Sequence, residues 1–231
     1  MHVILVPGFW LEADAWDQVV PVLRDAGHSV EALTRDGDTL DEQVAAVVER
    51  LDDVATPEDP VVLAGHSGAG PIVYMAADQR PSLVAHLLYV DTFPGPTGGC
   101  VNDELPIVDG VVPLPDWDFW EPATLRGLSD ADKRDFEHRA IPEPSALPSD
   151  RFHYEDAARH TIPATIISCE IPAPELATMV ADHQAWATEL VETEDLAIVG
   201  LDTGHWPMFT APRELGALMV QALAPRPSVG H

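Results

Sequence analysis

Residues 61–70 of this chain read VVLAGHSGAG, an apolar run that leads into a glycine-rich turn around Ser67. The apolar run predicts a strand covered on both faces, and residues 68–80 predict the helix that follows it. A serine at so sharp a strand-to-helix turn has a strained backbone, so the residues two before it and two after it must be small. Gly65 and Ala69 occupy these two positions. The stretch therefore predicts a nucleophilic serine within an α/β fold.

The same turn carries Gly68, whose backbone N–H opens the following helix and has no partner inside it. Such an N–H can hold an oxyanion beside Ser67. The alternative is a turn that cradles a phosphate. Phosphate-binding turns follow the pattern G-x-G-x-x-G or end in Gly-Lys-Ser/Thr, and residues 65–70 (GHSGAG) do neither. The turn is therefore interpreted as the site of a nucleophile.

On both sides of this stretch, short β-branched runs alternate with helical patterns. Strands are predicted at residues 3–7, 29–34, 61–65, 86–91, 164–170 and 196–201. Helices are predicted at residues 12–26, 39–54, 68–80, 129–139, 174–190 and 212–223. This alternation predicts an α/β fold with a mostly parallel six-stranded sheet, right-handed crossovers and flanking helices.

The alternation is interrupted over residues 94–150, where prolines are frequent and Trp117, Phe119 and Trp120 form an aromatic cluster. We predict an irregular insertion here, with one or two short helices. The insertion is expected to lie over Ser67 as a lid.

A general base for Ser67 is predicted at the end of the last strand. Residues 196–201 lead into Gly204 and His205, and sites in parallel sheets form just past the carboxyl ends of the strands. The chain has ten histidines, and the others lack this context. His66, beside the serine, is predicted to be structural and to point away from the turn. We therefore predict His205 as the base, the alternative being a packed loop histidine.

A second oxyanion donor is predicted where the first strand ends. Gly8 permits a bend that turns the N–H of Phe9 toward the same cavity as the N–H of Gly68. Two such donors, at ~3 kcal/mol each, stabilise the negative charge that develops in an acyl transfer. The alternative for this stretch is an ordinary turn between a strand and a helix.

The composition excludes several classes of partner. The chain has 231 residues, with 12 Lys and Arg against 39 Asp and Glu, and its formal net charge is −27. Nucleic acids and anionic membrane surfaces both need clustered basic residues, so neither is an expected partner. No apolar stretch approaches the ~18 residues of a membrane span, and the amino terminus lacks the features of a signal peptide. We expect a cytoplasmic protein with one domain over residues 1–224 and a flexible tail at 225–231.

Four stretches, taken in order, resemble the α/β-hydrolase superfamily. They are VILVPGFW at 3–10, VVLAGHSGAG at 61–70, HLLYVDTFPG at 86–95 and LDTGHWPMF at 201–209. The chain is most similar to the small esterase-like branch that contains plant methyl esterases and hydroxynitrile lyases. The resemblance implies the α/β-hydrolase fold without its first two strands. We predict no cofactor, and no metal because no ligand spacing such as H-E-x-x-H occurs.

The acid of the implied triad has two candidates. By the resemblance, the commonest acid follows the strand at 164–170, where this chain has Glu170 and no aspartate. The other position seen in the superfamily is the end of the preceding strand, where Asp91 stands. A carboxylate there would orient His205 and stabilise its imidazolium. We predict Asp91 as the acid with Glu170 second, the alternative for Asp91 being a cap of a helix or loop.

The predicted function is hydrolysis of a small or medium carboxylic ester through an acyl-enzyme. Trp117 and Trp120 of the lid, with Trp10 below them, are predicted to form an apolar substrate pocket. Alternatively, these aromatics only pack the lid onto the body. A lyase, a C–C hydrolase or a cofactor-free peroxidase would use the same triad, and a ligand-binding homologue without turnover is a further alternative. The expected partner is a small-molecule ester, and a homo-oligomer stays open.

Overall fold

A parallel sheet forms the centre of the protein. The computed structural model describes residues 1–224, so the tail predicted at 225–231 lies outside the described residues. The strands are β1 (His2–Val6), β2 (Ser29–Ala32), β3 (Val61–His66), β4 (Val84–Val90), β5 (Val111–Val112), β6 (Glu143–Pro144), β7 (Ala164–Ser168) and β8 (Leu196–Gly200). Six of them form one parallel sheet in the order β2-β1-β3-β4-β7-β8, which confirms the predicted architecture.

Strand β3 lies between β1 and β4, and every one of its residues is buried. Val3 of β1 pairs with Val62, and Gly65 pairs with Tyr89 of β4. A strand with neighbours on both edges and helices on both faces must be apolar throughout, as the sequence predicts. Because the strands are parallel, the segments that follow β1, β3, β4, β7 and β8 meet at one edge of the sheet.

Helices flank the sheet. They are α1 (Val20–Asp25), α2 (Leu40–Val54), α3 (Ala69–Gln79), α4 (Asp130–Arg139), α5 (Ala173–Ala181), α6 (Thr188–Glu192), α7 (Pro207–Thr210) and α8 (Pro212–Ala222). Helix α2 packs against α3, and α1 packs against α8. The amino terminus of α2 is closed by a capping box in which Thr39 and Glu42 bond reciprocally. Nowhere in the described chain is a helix both long and apolar enough to cross a bilayer.

Two of the predicted helices are interrupted. Residues 12–26 form a 3-10 turn and then the short helix α1, because Pro21 has no N–H and can only occupy a first helical turn. Residues 174–190 form α5 and then α6, since His183 adopts a φ of 52°, which ends α5. In both cases a single residue divides a stretch whose pattern predicts one continuous helix.

The 94–150 segment connects β4 to the second half of the sheet. It contains the antiparallel ribbon of β5 and β6, helix α4, and 3-10 turns at Trp117–Phe119 and Leu147–Ser149. The helix predicted near residues 129–139 is α4. Phe136 of α4 is fully buried and packs on Trp206, so the segment is joined to the body by aromatic contacts.

Candidate active site

The turn between β3 and α3 holds Ser67 in a strained conformation. Its φ is 50°, in the left-handed region that non-glycine residues rarely adopt. The turn is tight enough that a Cβ on Gly65 would lie 2.7 Å from the carbonyl oxygen of Ala69. The hydroxyl of Thr92 donates to the Ser67 carbonyl at 2.7 Å and so holds the turn against the loop after β4. The requirement for small residues at these positions therefore follows from the packing.

The His205 imidazole lies against the Ser67 hydroxyl. The Nε2 atom of His205 is 2.7 Å from Oγ of Ser67, although 138 residues separate them in the chain. The His205 loop is held by the 94–150 segment, because the His205 N–H donates to the Thr124 carbonyl at 2.9 Å. A Cβ on Gly204 would lie 2.3 Å from that carbonyl oxygen, so only glycine fits before the histidine.

The second histidine of the turn, His66, supports the first. Its fully buried ring donates from Nε2 to the His205 carbonyl at 2.7 Å. Burial, followed by the positive charge of His205, lowers the pKa of His66 to about 3, and the Arg35 charge adds to this. His66 is therefore neutral at physiological pH and carries its proton on Nε2. The ring contacts the loop of the proposed base, and its structural role stays a prediction.

Two carboxylates face the other nitrogen of His205. Oδ2 of Asp91 lies 2.7 Å from Nδ1 of His205, and Oε2 of Glu170 lies 3.0 Å from the same atom. Asp91 follows β4 with a φ of 47°, and its Oδ1 accepts the backbone N–H groups of Cys169 and Glu170 at 2.7 and 3.1 Å. The Glu170 carboxylate is more exposed and accepts the hydroxyl of Thr124. The structure thus brings both sequence candidates to one imidazole.

These contacts shift the pKa values of the group. Burial alone would lower the pKa of His205, but the hydrogen bonds and charges of Asp91 and Glu170 outweigh it and raise the pKa to about 9. Burial would raise the pKa of Asp91, but His205 and the two backbone N–H donors outweigh it and lower the pKa to about 2. The ligand atoms of the three side chains lie within 4.8 Å of one another, close enough to bind a metal ion. The contacts of Asp91 and Glu170 with Nδ1 of His205 account for the same close grouping of the three side chains.

The loop that carries Phe9, a predicted oxyanion donor, packs on the serine turn. A Cβ on Gly8 would lie 2.8 Å from Cβ of Ser67, so the loop after β1 packs directly on the serine. A Cβ on Gly68 would lie 2.5 Å from the ring of Phe9, so this loop also covers the start of α3. Within residues 1–224, neither the Phe9 N–H nor the Gly68 N–H donates to another protein group. Both are therefore free to donate to an atom bound at Ser67.

A cavity of about 260 Å³ opens beside Ser67 and His205. Its apolar wall comes from the start of α3, from the loop after β4, from the 94–150 segment and from Phe152, two residues beyond that segment. The side chains of this wall are those of Pro71, Phe93, Cys100, Val101 and Phe152. The cavity is thus mainly apolar, and its polar lining residues are Ser67, Asp91, Thr92 and His205.

A sequence comparison identifies the family. Residues 3–218 match the sequence model of the Alpha/beta hydrolase family, which covers nearly all of the described chain. The protein belongs to the alpha/beta hydrolase family. The resemblance predicted from the four motifs is confirmed.

Named relatives of this alpha/beta hydrolase differ in activity. It is 26% identical to Lipase LipV of Mycobacterium tuberculosis in an alignment of 212 positions that covers 81% of this chain and 77% of the lipase. It is 28% identical to the Alpha-hydroxynitrile lyase of Arabidopsis thaliana in an alignment of 102 positions that covers 40% of each chain. A solved methylesterase structure from Arabidopsis has the same fold, with a TM-score of 0.75 at 18% identity, covering 96% of this chain and 98% of that one.

The tryptophans predicted to bind substrate lie in an aromatic cluster around Trp206. Trp10, Trp117 and Trp120 are absent from the lining of the cavity beside Ser67. Trp10 is buried and donates from its ring nitrogen to the Val112 carbonyl at 3.0 Å. The other two pack edge-to-face on Trp206. The large indoles pack where the 94–150 segment meets the body, and a role for them in substrate binding stays a prediction.

Two supporting residues of this site have no signal in the sequence. Thr92 holds the serine turn, and Thr124 contacts both the His205 backbone and Glu170. Both are ordinary threonines in loops, and their contacts form only when distant segments meet. Cys100 and Phe152 of the cavity wall were likewise unmarked in the sequence.

Proposed function

We propose that this protein hydrolyses small or medium carboxylic esters, with Ser67 as nucleophile, His205 as base and Asp91 as the orienting acid. The observation that carries the proposal is the line of contacts from Ser67 Oγ to His205 Nε2 and from His205 Nδ1 to Asp91, each 2.7 Å long. Lipase and methylesterase relatives support ester hydrolysis in general. The apolar cavity beside Ser67 supports an acyl or alcohol group of modest size.

In the acylation step, Oγ of Ser67 attacks the ester carbonyl carbon while Nε2 of His205 accepts the hydroxyl proton. The carbonyl oxygen becomes an oxyanion, which the N–H groups of Phe9 and Gly68 hold. The bond to the alkoxy oxygen then breaks, and the imidazolium returns the proton to the departing alcohol. Asp91 stabilises the imidazolium between these two transfers.

In the deacylation step, a water molecule takes the place of the alcohol. His205 removes a proton from that water, and the resulting hydroxide attacks the acyl carbon on Ser67. The second tetrahedral intermediate collapses with the carboxylic acid as product, and His205 returns the proton to Oγ. These steps use only the chain's own residues and water.

The 94–150 segment is proposed to act as the lid of this site. It contributes Gly95, Cys100 and Val101 to the cavity, and it bonds the His205 loop through Thr124. A lid in this position would shield the acyl-enzyme from water until the alcohol has left.

An activity-based fluorophosphonate probe tests the nucleophile. We expect labelling of the wild-type protein at a mildly alkaline pH and no labelling of Ser67→Ala, with the exposed Ser82→Ala as the matched control that keeps full labelling. Equal labelling of Ser67→Ala would contradict the assignment. The absence of any labelling would instead favour the ligand-binding homologue without turnover.

A substrate panel separates ester hydrolysis from the other uses of the triad. p-Nitrophenyl esters of increasing acyl length are expected to show a maximum at short or medium chains, because the cavity is small. The panel also includes a cyanohydrin, a vinylogous diketone and a peroxidase assay, which test the lyase, C–C hydrolase and peroxidase alternatives. Ser67-dependent turnover of one of these in place of every ester would replace the proposal.

A further inference from the structure

A buried ion pair lies behind the loop that carries Phe9. Arg35, just past β2, meets Glu143 of β6 in the 94–150 segment. Nη1 of Arg35 donates to Oε2 of Glu143 at 2.9 Å, and Nη2 donates to Oε1. The two side chains are only 6% and 4% exposed. Replacing a buried ion pair with apolar side chains is often neutral or stabilising, so such a pair points to a task besides stability.

One partner of this pair bonds the peptide group that contains the Phe9 N–H. Nη2 of Arg35 donates to the Gly8 carbonyl at 3.2 Å, and that carbonyl shares a peptide plane with the N–H of Phe9. The described residues contain no cis peptide bond. In a trans peptide the carbonyl and the N–H point in opposite directions. The contact with Arg35 therefore turns the Phe9 N–H away from the ion pair, and the same loop packs on Ser67.

The other partner fixes the next peptide group. A carboxylate oxygen of Glu143 accepts the backbone N–H of Trp10 at 2.5 Å. Trp10 has a φ of 63°, which a tryptophan adopts only where the surroundings impose it. The peptide groups on both sides of Phe9 are thus held by one ion pair. The Arg35 guanidinium also lies over the Phe9 ring, 5.4 Å from its centroid.

We propose that Arg35 and Glu143 are positioning residues that aim the Phe9 N–H at the oxyanion formed on Ser67. The inference rests on the proposed ester hydrolysis. A cationic donor on the Gly8 carbonyl polarises the peptide, which strengthens its N–H as a donor. Because the oxyanion exists only during the reaction, the benefit belongs to the transition state, and substrate binding gains little from it.

The test compares Arg35→Gln, Arg35→Lys and Glu143→Gln with the wild-type protein on the best ester of the panel. Losing one oxyanion donor costs a large factor in kcat, so we expect Arg35→Gln to lower kcat about 10- to 100-fold with KM changed less than about threefold. Affinity for a boronic acid, which forms an anionic tetrahedral adduct on Ser67 with an oxygen at the oxyanion position, should fall by a similar factor. Arg35→Lys keeps a cation and should restore part of kcat.

A matched control is Arg159→Gln. Arg159 is also a buried arginine in an ion pair, with Glu189 and Asp78, but it touches none of the residues of the proposed site. We expect this variant to lose thermal stability and to keep the wild-type kcat and boronate affinity. If Arg35→Gln behaves like Arg159→Gln, the inference is wrong.

Further measurements distinguish a variant that fails to fold from a failure of the proposed ester hydrolysis. Should Arg35→Gln fail to fold, Glu143→Gln decides, because its amide oxygen still accepts the Trp10 N–H while the ion pair is lost. An unchanged kcat in a folded Glu143→Gln would then overturn the inference. Should the wild-type protein show no Ser67-dependent turnover or labelling, the proposed function fails first and the inference falls with it.

Discussion

At the residue scale, the state of the His205 imidazole controls the proposed chemistry. A base must be neutral to accept the proton of Ser67, yet two carboxylates raise the pKa of this imidazole to about 9. The same carboxylates stabilise the imidazolium that forms as the serine attacks. The free protein therefore keeps its base protonated at neutral pH, and activity should depend on pH in a definite direction.

Activity is expected to rise with pH. Below a pH of about 9 the imidazolium form predominates, so kcat/KM should rise about tenfold per pH unit from about pH 6 to about pH 8 and level off above about pH 9. Glu170→Gln removes one charge that stabilises the imidazolium and should shift the midpoint to lower pH. The measurement is kcat/KM for a neutral ester, with hydrolysis by Ser67→Ala subtracted at each pH. A flat profile from about pH 6 to about pH 9 would contradict the assignment of the base.

The two carboxylates are expected to contribute unequally. Asp91 is the shorter contact and is fixed by two backbone donors, whereas Glu170 is more exposed. We expect Asp91→Asn to lower kcat about 100-fold and Glu170→Gln less than about tenfold, with the double variant approaching the ~10⁴-fold loss known for a triad without its acid. Steady-state kinetics of the four proteins measures this. The opposite order of effects would make Glu170 the acid.

At the element scale, the sequence predicted the strands and most helices because each has a local cause. The six parallel strands follow from apolar runs, and the start of α2 follows from the Thr39 and Glu42 capping pair. The local sequence pattern could not predict the contacts between elements. The ion pair of Arg35 and Glu143 joins segments 108 residues apart, and no feature near either residue marks it.

Helix α3 is expected to depend on the absence of a side chain in β3. In Gly65→Ala the new Cβ would lie 2.7 Å from the Ala69 carbonyl oxygen and 2.9 Å from Cγ2 of Val73, so α3 must move away from the sheet. We expect a loss of about 1–3 kcal/mol in the free energy of unfolding, together with lower kcat. Gly200→Ala is the control, since its Cβ would meet only an ordinary contact at 3.4 Å. Equal stability of the two variants in thermal unfolding would refute this account.

At the scale of the whole molecule, the chain has a formal net charge of −27, and the cavity beside Ser67 is mainly apolar. No lysine or arginine of the described chain lines that cavity, whereas Asp91 does. The field of the protein therefore repels anionic substrates as they approach, while neutral esters are unaffected.

Salt should reveal this repulsion. For an ester with a free carboxylate on its acyl chain, we expect kcat/KM to rise about 3- to 10-fold between about 20 mM and about 500 mM NaCl, because screening shortens the reach of the field. For the matched neutral methyl ester we expect a change of less than about twofold. Parallel salt profiles for the two esters would show that the net charge does not select substrates.

The paired carboxylates at His205 also bear on how such sites diverge. Asp91 and Glu170 follow neighbouring strands and reach the same imidazole nitrogen, so either can be lost by a single substitution while a counter-ion for the ring persists. A move of the acid from one strand to the next would therefore pass through weakened variants that still hold a counter-ion at the ring. The strand that carries the acid is then a poor feature by which to group the relatives of this chain by descent. The serine turn and the histidine loop are better features for that purpose.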